Sequence, residues 1–265
     1  MTTLASTRVG RADAPKTIVM LHGIYGWGRN WQTIAKLLVD ARPDYACLLV
    51  DLPYHGGSGA GAHELTVTGI AADVIDALRA KSIAPDALLG HSFGGKVALA
   101  MMRAWSARPL QTWVIDSTPE PRTPSGSAWD MLQIIRALPP RFASRDELIA
   151  ALTTRGWPLG VAQWMATNLV RDNDAFVWRL DLDVMEQLLR SFFSTDLWPI
   201  VEHPAPGHVV HFVKASQSSA MSDDAVRRAE SLPSDRAVVH HLDGGHWIHA
   251  ESPQAIVDLL AQGLR

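Results

Sequence analysis

The chain has a single cysteine among its 265 residues, only three tyrosines, no excess of either charge, and no run approaching the ~20 apolar residues of a membrane span. Each scarcity excludes something. Cys47, inside the apolar stretch "YACLLVD", has no partner for an intramolecular disulfide and suits a reducing compartment. The N-terminal "MTTLASTRVGRADAPK" lacks the apolar centre of a secretory signal, so a cytoplasmic location is expected, without a membrane span. A formal charge of −3 offers no basic footprint for nucleic acid. The glycines of "LHGIYGWG" have neither the G-x-G-x-x-G spacing nor the Lys-Ser/Thr ending of a phosphate loop, which argues against a nucleotide cofactor. H-E-x-x-H is missing, and His208 and His211, three apart on a strand, face opposite sides. No metal and no cofactor are expected. Composition leaves the oligomeric state open.

What is present is an ordinary globular composition, 47% hydrophobic and 19% charged, on a chain long enough to bury about 70–75% of its extended surface. Short apolar runs alternate with helical patterns. The runs are "KTIVMLH" (16–22), "YACLLVD" (45–51), "DALLG" (86–90), "QTWVID" (111–116), "HVVHFV" (208–213) and "AVVHHL" (237–242), with helical patterns over 30–38, 68–80 and 95–103. Such alternation predicts an α/β fold with a mostly parallel sheet flanked by helices. The interval after 116 is too long for one crossover. Its stripes are helical: Val184, Leu188 and Phe192; Val161, Trp164, Met165 and Leu169; Trp129, Leu132 and Ile135. We therefore expect a core made of 1–116 and 208–265, with 117–207 inserted as a helical lid within one compact catalytic unit.

The stretch "LLGHSFGGKVALAMM" places Ser92 in G-x-S-x-G between a strand and a helix, the context in which a sharp turn lifts a serine hydroxyl above a sheet edge. A serine needs a base, and the base an orienting acid. His246, in the "DGGHW" turn after the last strand, is the expected base; His249 should lie on the next helix and point elsewhere, and His240 and His241 face opposite sides of a strand. For the acid, Asp116 ends a strand at the same edge as Ser92, while Asp223 and Asp224 come late enough to open a helix. The backbone N–H groups of Phe93 and of Ile24, in the loop after the first long strand, are the candidate oxyanion donors. Trp27, Trp164, Phe192 and Trp247 are the candidate substrate-binding residues, because the tryptophan-rich insertion and entrance suggest an apolar acyl pocket.

Together these residues resemble the α/β-hydrolases. The stretches "LHGIYGWGRNW", "VDLPYHGGS", "GHSFGGKVAL", "VIDSTP", "NLVRDNDAFVWRLDLDVM" and "GHWIHAESPQ" resemble, more narrowly, the small bacterial acyl esterases related to the mitochondrial abhydrolase domain-containing protein eleven. That resemblance implies Ser92 as nucleophile, His246 as base and a carboxylate at Asp116. The expected function is a serine carboxylester hydrolase for uncharged short- to medium-chain acyl esters, working through an acyl-enzyme, with a small-molecule ester as its partner. A serine rather than an aspartate at the elbow argues against haloalkane dehalogenases and epoxide hydrolases. "DLPYHGGS" also resembles hydrolase-fold lyases of menaquinone biosynthesis, so a lyase or a ligand-binding receptor that keeps the triad is the alternative.

Overall fold

The run Tyr45–Val50 is apolar at every position and buried along its whole length, as a strand covered on both faces must be. In a computed structural model describing residues 4–265 it lies within a seven-stranded sheet. The first part of the chain forms β1 (Ser6–Val9), β2 (Lys16–Leu21), α1 (Gln32–Ala41), β3 (Tyr45–Val50), α2 (Val67–Ala80), β4 (Ala87–His91), α3 (Phe93–Met101) and β5 (Leu110–Ile115). After a long insertion come β9 (His208–Ala215), α9 (Asp223–Glu230), β10 (Ala237–Leu242), α10 (Ile248–Glu251) and α11 (Pro253–Gly263). The insertion itself holds α4 (Ser127–Arg136), β6 (Arg141–Phe142), α5 (Arg145–Thr153), α6 (Leu159–Ala166), β7 (Leu169–Asp172), β8 (Ala175–Trp178), α7 (Leu182–Ser194) and α8 (Trp198–Glu202).

The sheet runs β1-β3-β2-β4-β5-β9-β10, parallel except for β1, which pairs antiparallel with β3. Alternation divides its side chains between two cores. On β2, Ile18 and Met20 pack with α1 and α11, whereas Val19 and Leu21 join the core shared with α2, α3 and the insertion. The chain winds one way from β2 to β3 and the other way from β4 onward. The carboxyl ends of β2 and β4 therefore flank the point where strand order reverses, where ligands of open α/β sheets collect.

Two differences from the sequence pattern stand out. The edge strand β1 escapes a periodicity search because it is four half-exposed residues, "STRV". The insertion is not purely helical: β7 and β8 form a hairpin, extended by the two-residue β6, and Asn173 turns it at φ 55°. "Asn-Asp" between two short apolar runs is the local signal for that hairpin, and asparagine is among the residues that best tolerate positive φ.

Candidate active site

Ser92 leaves β4 at φ 53°, ψ −117°, a conformation side chains other than glycine rarely adopt, before α3 begins at Phe93. The surrounding glycines explain how the turn closes. A Cβ on Gly90 would stand 2.0 Å from Gly94 O, and one on Gly94 would stand 2.5 Å from His22 O. Neither contact is survivable, so both positions must lack a side chain. The strain at Ser92, of order 1–3 kcal/mol, is held by the close approach of the backbone at Gly90 and Gly94. Its hydroxyl faces the carboxyl edge of the sheet.

His246 reaches that hydroxyl from the loop after β10: Nε2 lies 3.1 Å from Ser92 Oγ, and Nδ1 lies 2.6 Å from Asp116 Oδ2. A carboxylate can only accept, so Nδ1 carries the proton and Nε2 is left as the acceptor for the serine O–H. Asp116 follows β5 at φ 44° and is 0% exposed. Three donors compensate its burial: Ala215 N at 3.2 Å, Ser218 Oγ at 2.5 Å and His246 Nδ1. Asp223 and Asp224, by contrast, sit exposed in the first turn of α9, where Asp224 pairs with Arg227. Ser218 is a site residue the sequence did not single out; its only signal is its place in "KASQSS", after the strand next to Asp116.

The loop after β2 completes the constellation. Among the described residues, no protein acceptor takes the backbone N–H of Ile24 or of Phe93. The loop is held by imidazoles. Leu52 N–H donates to His22 Nε2, so His22 Nδ1–H donates to Gly23 O at 2.8 Å, and His55 sets one ring nitrogen beside Pro53 O and the other beside Ile24 O, of which a neutral ring donates to one. Burial depresses both rings, His22 well below the ordinary histidine range. His91 Nε2 lies 2.7 Å from His246 O and so donates to it, orienting the loop that carries His246.

His249 departs from expectation. Although it lies on α10, that helix is a single turn that folds back toward the site, and the ring rests 4.2 Å from His91 and lines the same pocket as Ser92. Burial, reinforced by His246, pushes its pKa down to about 3.

Two small pockets, with room of about 40 Å³ and 20 Å³, meet at Ser92 and His246. The first is walled by Phe93, Leu189, Phe192 and Phe193, with Arg122 at its side; the second by Ile24, Tyr25, Met131, Trp164 and Trp247. Arg122 is half-buried, donates from Nη1 to Ser219 O at 3.0 Å and lies over the Phe193 ring, while its buried Nε has no partner among the described residues. A wider cleft opens beyond His246 between Trp164, Trp247 and α10. Three of the four candidate substrate-binding residues thus line pockets touching Ser92. Trp27 does not: its ring stacks against the guanidinium groups of Arg29 and Arg179, outside the pockets.

A serine on a strained strand-to-helix turn, an imidazole oriented by a buried carboxylate, and free amides at the reversal point of a mostly parallel sheet define the α/β-hydrolase class. Residues 18–259 match the alpha/beta hydrolase family, and the chain belongs to it. It is 29% identical over 244 residues to the sn-1-specific diacylglycerol lipase ABHD11 of Xenopus laevis, covering 88% of this chain and 75% of that one. It is 28% identical over 245 residues to the esterase YbfF of Escherichia coli, covering 91% and 89%. Among solved structures, a marine microorganism esterase superimposes with a TM-score of 0.83 at 22% identity, covering 99% of each chain. No helix among the described residues is long and apolar enough to cross a membrane.

Proposed function

We propose that this hydrolase-family chain is a serine carboxylester hydrolase acting on uncharged short- to medium-chain acyl esters through an acyl-enzyme. The observation that carries the reading is the continuous relay from Ser92 Oγ through His246 to Asp116. His246 Nε2 takes the hydroxyl proton as Ser92 Oγ bonds to the ester carbonyl carbon. The carbonyl π electrons move to oxygen, and the N–H groups of Ile24 and Phe93 receive the oxyanion. On collapse the C–O bond to the alcohol breaks, and the His246 proton leaves with the alcohol oxygen. Water, deprotonated by the same nitrogen, then attacks the acyl-enzyme; the acid is released and Ser92 regains its proton. Asp116 stays ionised throughout, fixing the tautomer and stabilising the imidazolium.

Substrate class is read from the walls. Leu189, Phe192 and Phe193 offer an acyl chain an apolar surface within a pocket of limited size, which favours uncharged acyl groups of modest length. Hydrolysis of p-nitrophenyl esters from acetate to octanoate by wild type and Ser92→Ala tests this. We expect a maximum at short or medium chains and its disappearance in the variant. Faster turnover of acidic or highly polar esters than of p-nitrophenyl butyrate contradicts the substrate class. Slow single turnover with retained product would instead favour a receptor, and elimination without an acyl-enzyme would favour a lyase.

A further inference from the structure

Lys96 has no part in the chemistry above, yet it is 0% exposed and stands on α3 one turn beyond Ser92. Its Nζ donates to three main-chain carbonyls: Glu120 O at 2.8 Å, Phe192 O at 2.6 Å and Thr195 O at 2.7 Å. An ammonium has three N–H donors, and here every one is used. The acceptors come from two separate parts of the insertion. Glu120 lies close behind Asp116, whereas Phe192 and Thr195 mark the C-terminal end of α7, where unpaired carbonyls and the helix dipole favour a cation. The Phe192 ring centre also lies 4.7 Å from Nζ, and that ring lines the pocket beside Ser92. The neighbouring carboxylates are engaged elsewhere: Glu120 Oε1 accepts from Ser222 Oγ at 2.8 Å, and Asp196 Oδ1 accepts from Trp198 N at 3.0 Å.

The geometry points to Lys96 as a positioning residue: it fastens the two segments of the insertion that flank the acyl pocket to the helix beginning at Ser92, and thereby fixes where Phe192 meets the acyl chain. This rests on the ester-hydrolase reading. A wall set in this way controls the fit of chains long enough to reach Phe192 and leaves acetate little affected. Burial and the nearby Arg122 guanidinium push the Lys96 pKa down to about 7, while Asp196 and Glu120 pull it up. The neutral amine has only two N–H groups for three carbonyls and no charge for the ring. As pH rises through that value, one carbonyl therefore loses its donor and the wall loosens.

The test is the ratio of kcat/KM for p-nitrophenyl acetate to kcat/KM for p-nitrophenyl butyrate in the wild-type protein, followed from about pH 6 to about pH 8.5. Taking the ratio cancels any pH dependence of the free enzyme that both esters share. We expect it to rise about three- to ten-fold across the interval, the scale of one lost hydrogen bond. In Lys96→Met, whose unbranched side chain is one atom shorter and has no donor, we expect a ratio that is high and independent of pH, with kcat for acetate within about two-fold of wild type. A flat wild-type ratio overturns the assignment, and so does a Lys96→Met variant that folds and loses both esters equally. If Lys96→Met does not fold, the wild-type profile alone decides. Ser92→Ala separates the two levels: activity surviving in it defeats the ester-hydrolase reading, whereas Ser92-dependent hydrolysis with a flat ratio defeats only the role of Lys96.

Discussion

Asp116 concentrates the residue-scale chemistry, because its burial, its three donors and its left-handed backbone all serve to face one imidazole nitrogen. Asp116→Asn should lower kcat about a thousand-fold or more with little change in fold, since an amide can donate to Nδ1 and invert the tautomer. Asp223→Asn and Asp224→Asn should stay within about two-fold of wild type, as exposed surface substitutions usually do. Steady-state kinetics on p-nitrophenyl butyrate checks all three, and a strong effect at Asp223 or Asp224 would reverse the assignment. His249 makes a different prediction. Its ring binds a proton near the ordinary 6.5 when unfolded but only near about 3 in the fold. Between those values the unfolded chain holds more protons, so this group removes stability as pH falls through the interval. His249→Phe should flatten the loss of stability on acidification, read as urea midpoints from about pH 7 down to about pH 4. An unchanged slope would mean that the ring is not desolvated as described.

At the scale of elements, the strand–turn–helix unit from β4 to α3 is specified almost entirely by local sequence. Apolar "ALLGH", two glycines whose Cβ atoms would collide with backbone, and a helix-forming "KVALAM" leave one way to turn, which is why Ser92 is legible from the amino-acid order alone. Gly94→Ala should cost roughly 3 kcal/mol or more, or prevent folding, because its methyl would meet His22 O with no flexible atom to yield. Urea unfolding followed by circular dichroism measures this. A loss under about 1 kcal/mol would show that the two loops are less tightly apposed. Elements that do not announce themselves are those whose partners are distant in sequence. The strand β1 depends on β3, the β6–β8 sheet is held by cross-strand pairs of two to four residues, and α10 sets His249 against His91 with the adjacent Ile248 buried.

The whole molecule brings together what periodicity cannot relate. Ser92, Asp116 and His246 come from three loops at one sheet edge, and the order of the strands explains why: β4 and β5 are adjacent, and β9 places β10 and its loop within reach. Sequence motifs single out Ser92 and His246, whereas Asp116 is favoured over Asp223 and Asp224 only by its place at a strand end on the same edge. The backbone contacts that hold the insertion in place carry no such signature. Tyr25 Oη donates to Ala128 O, Asn168 Nδ2 donates to Tyr25 O, Val67 N donates to Ser191 Oγ, and Lys96 ties α3 to α7. An apolar stripe could reveal Phe192 as a buried residue, and only the assembled fold shows that it also stands beside Ser92. The reading of Trp27 failed for the same reason, since its arginine neighbour Arg179 is remote in sequence. The most direct test of the proposed chemistry is a stopped-flow record of p-nitrophenol release from p-nitrophenyl butyrate, paired with intact-protein mass spectrometry at the end of the fast phase. The prediction is a burst of about one equivalent, a butyryl group located on Ser92, and loss of both in Ser92→Ala. A butyryl adduct elsewhere, or full turnover by Ser92→Ala, would contradict it.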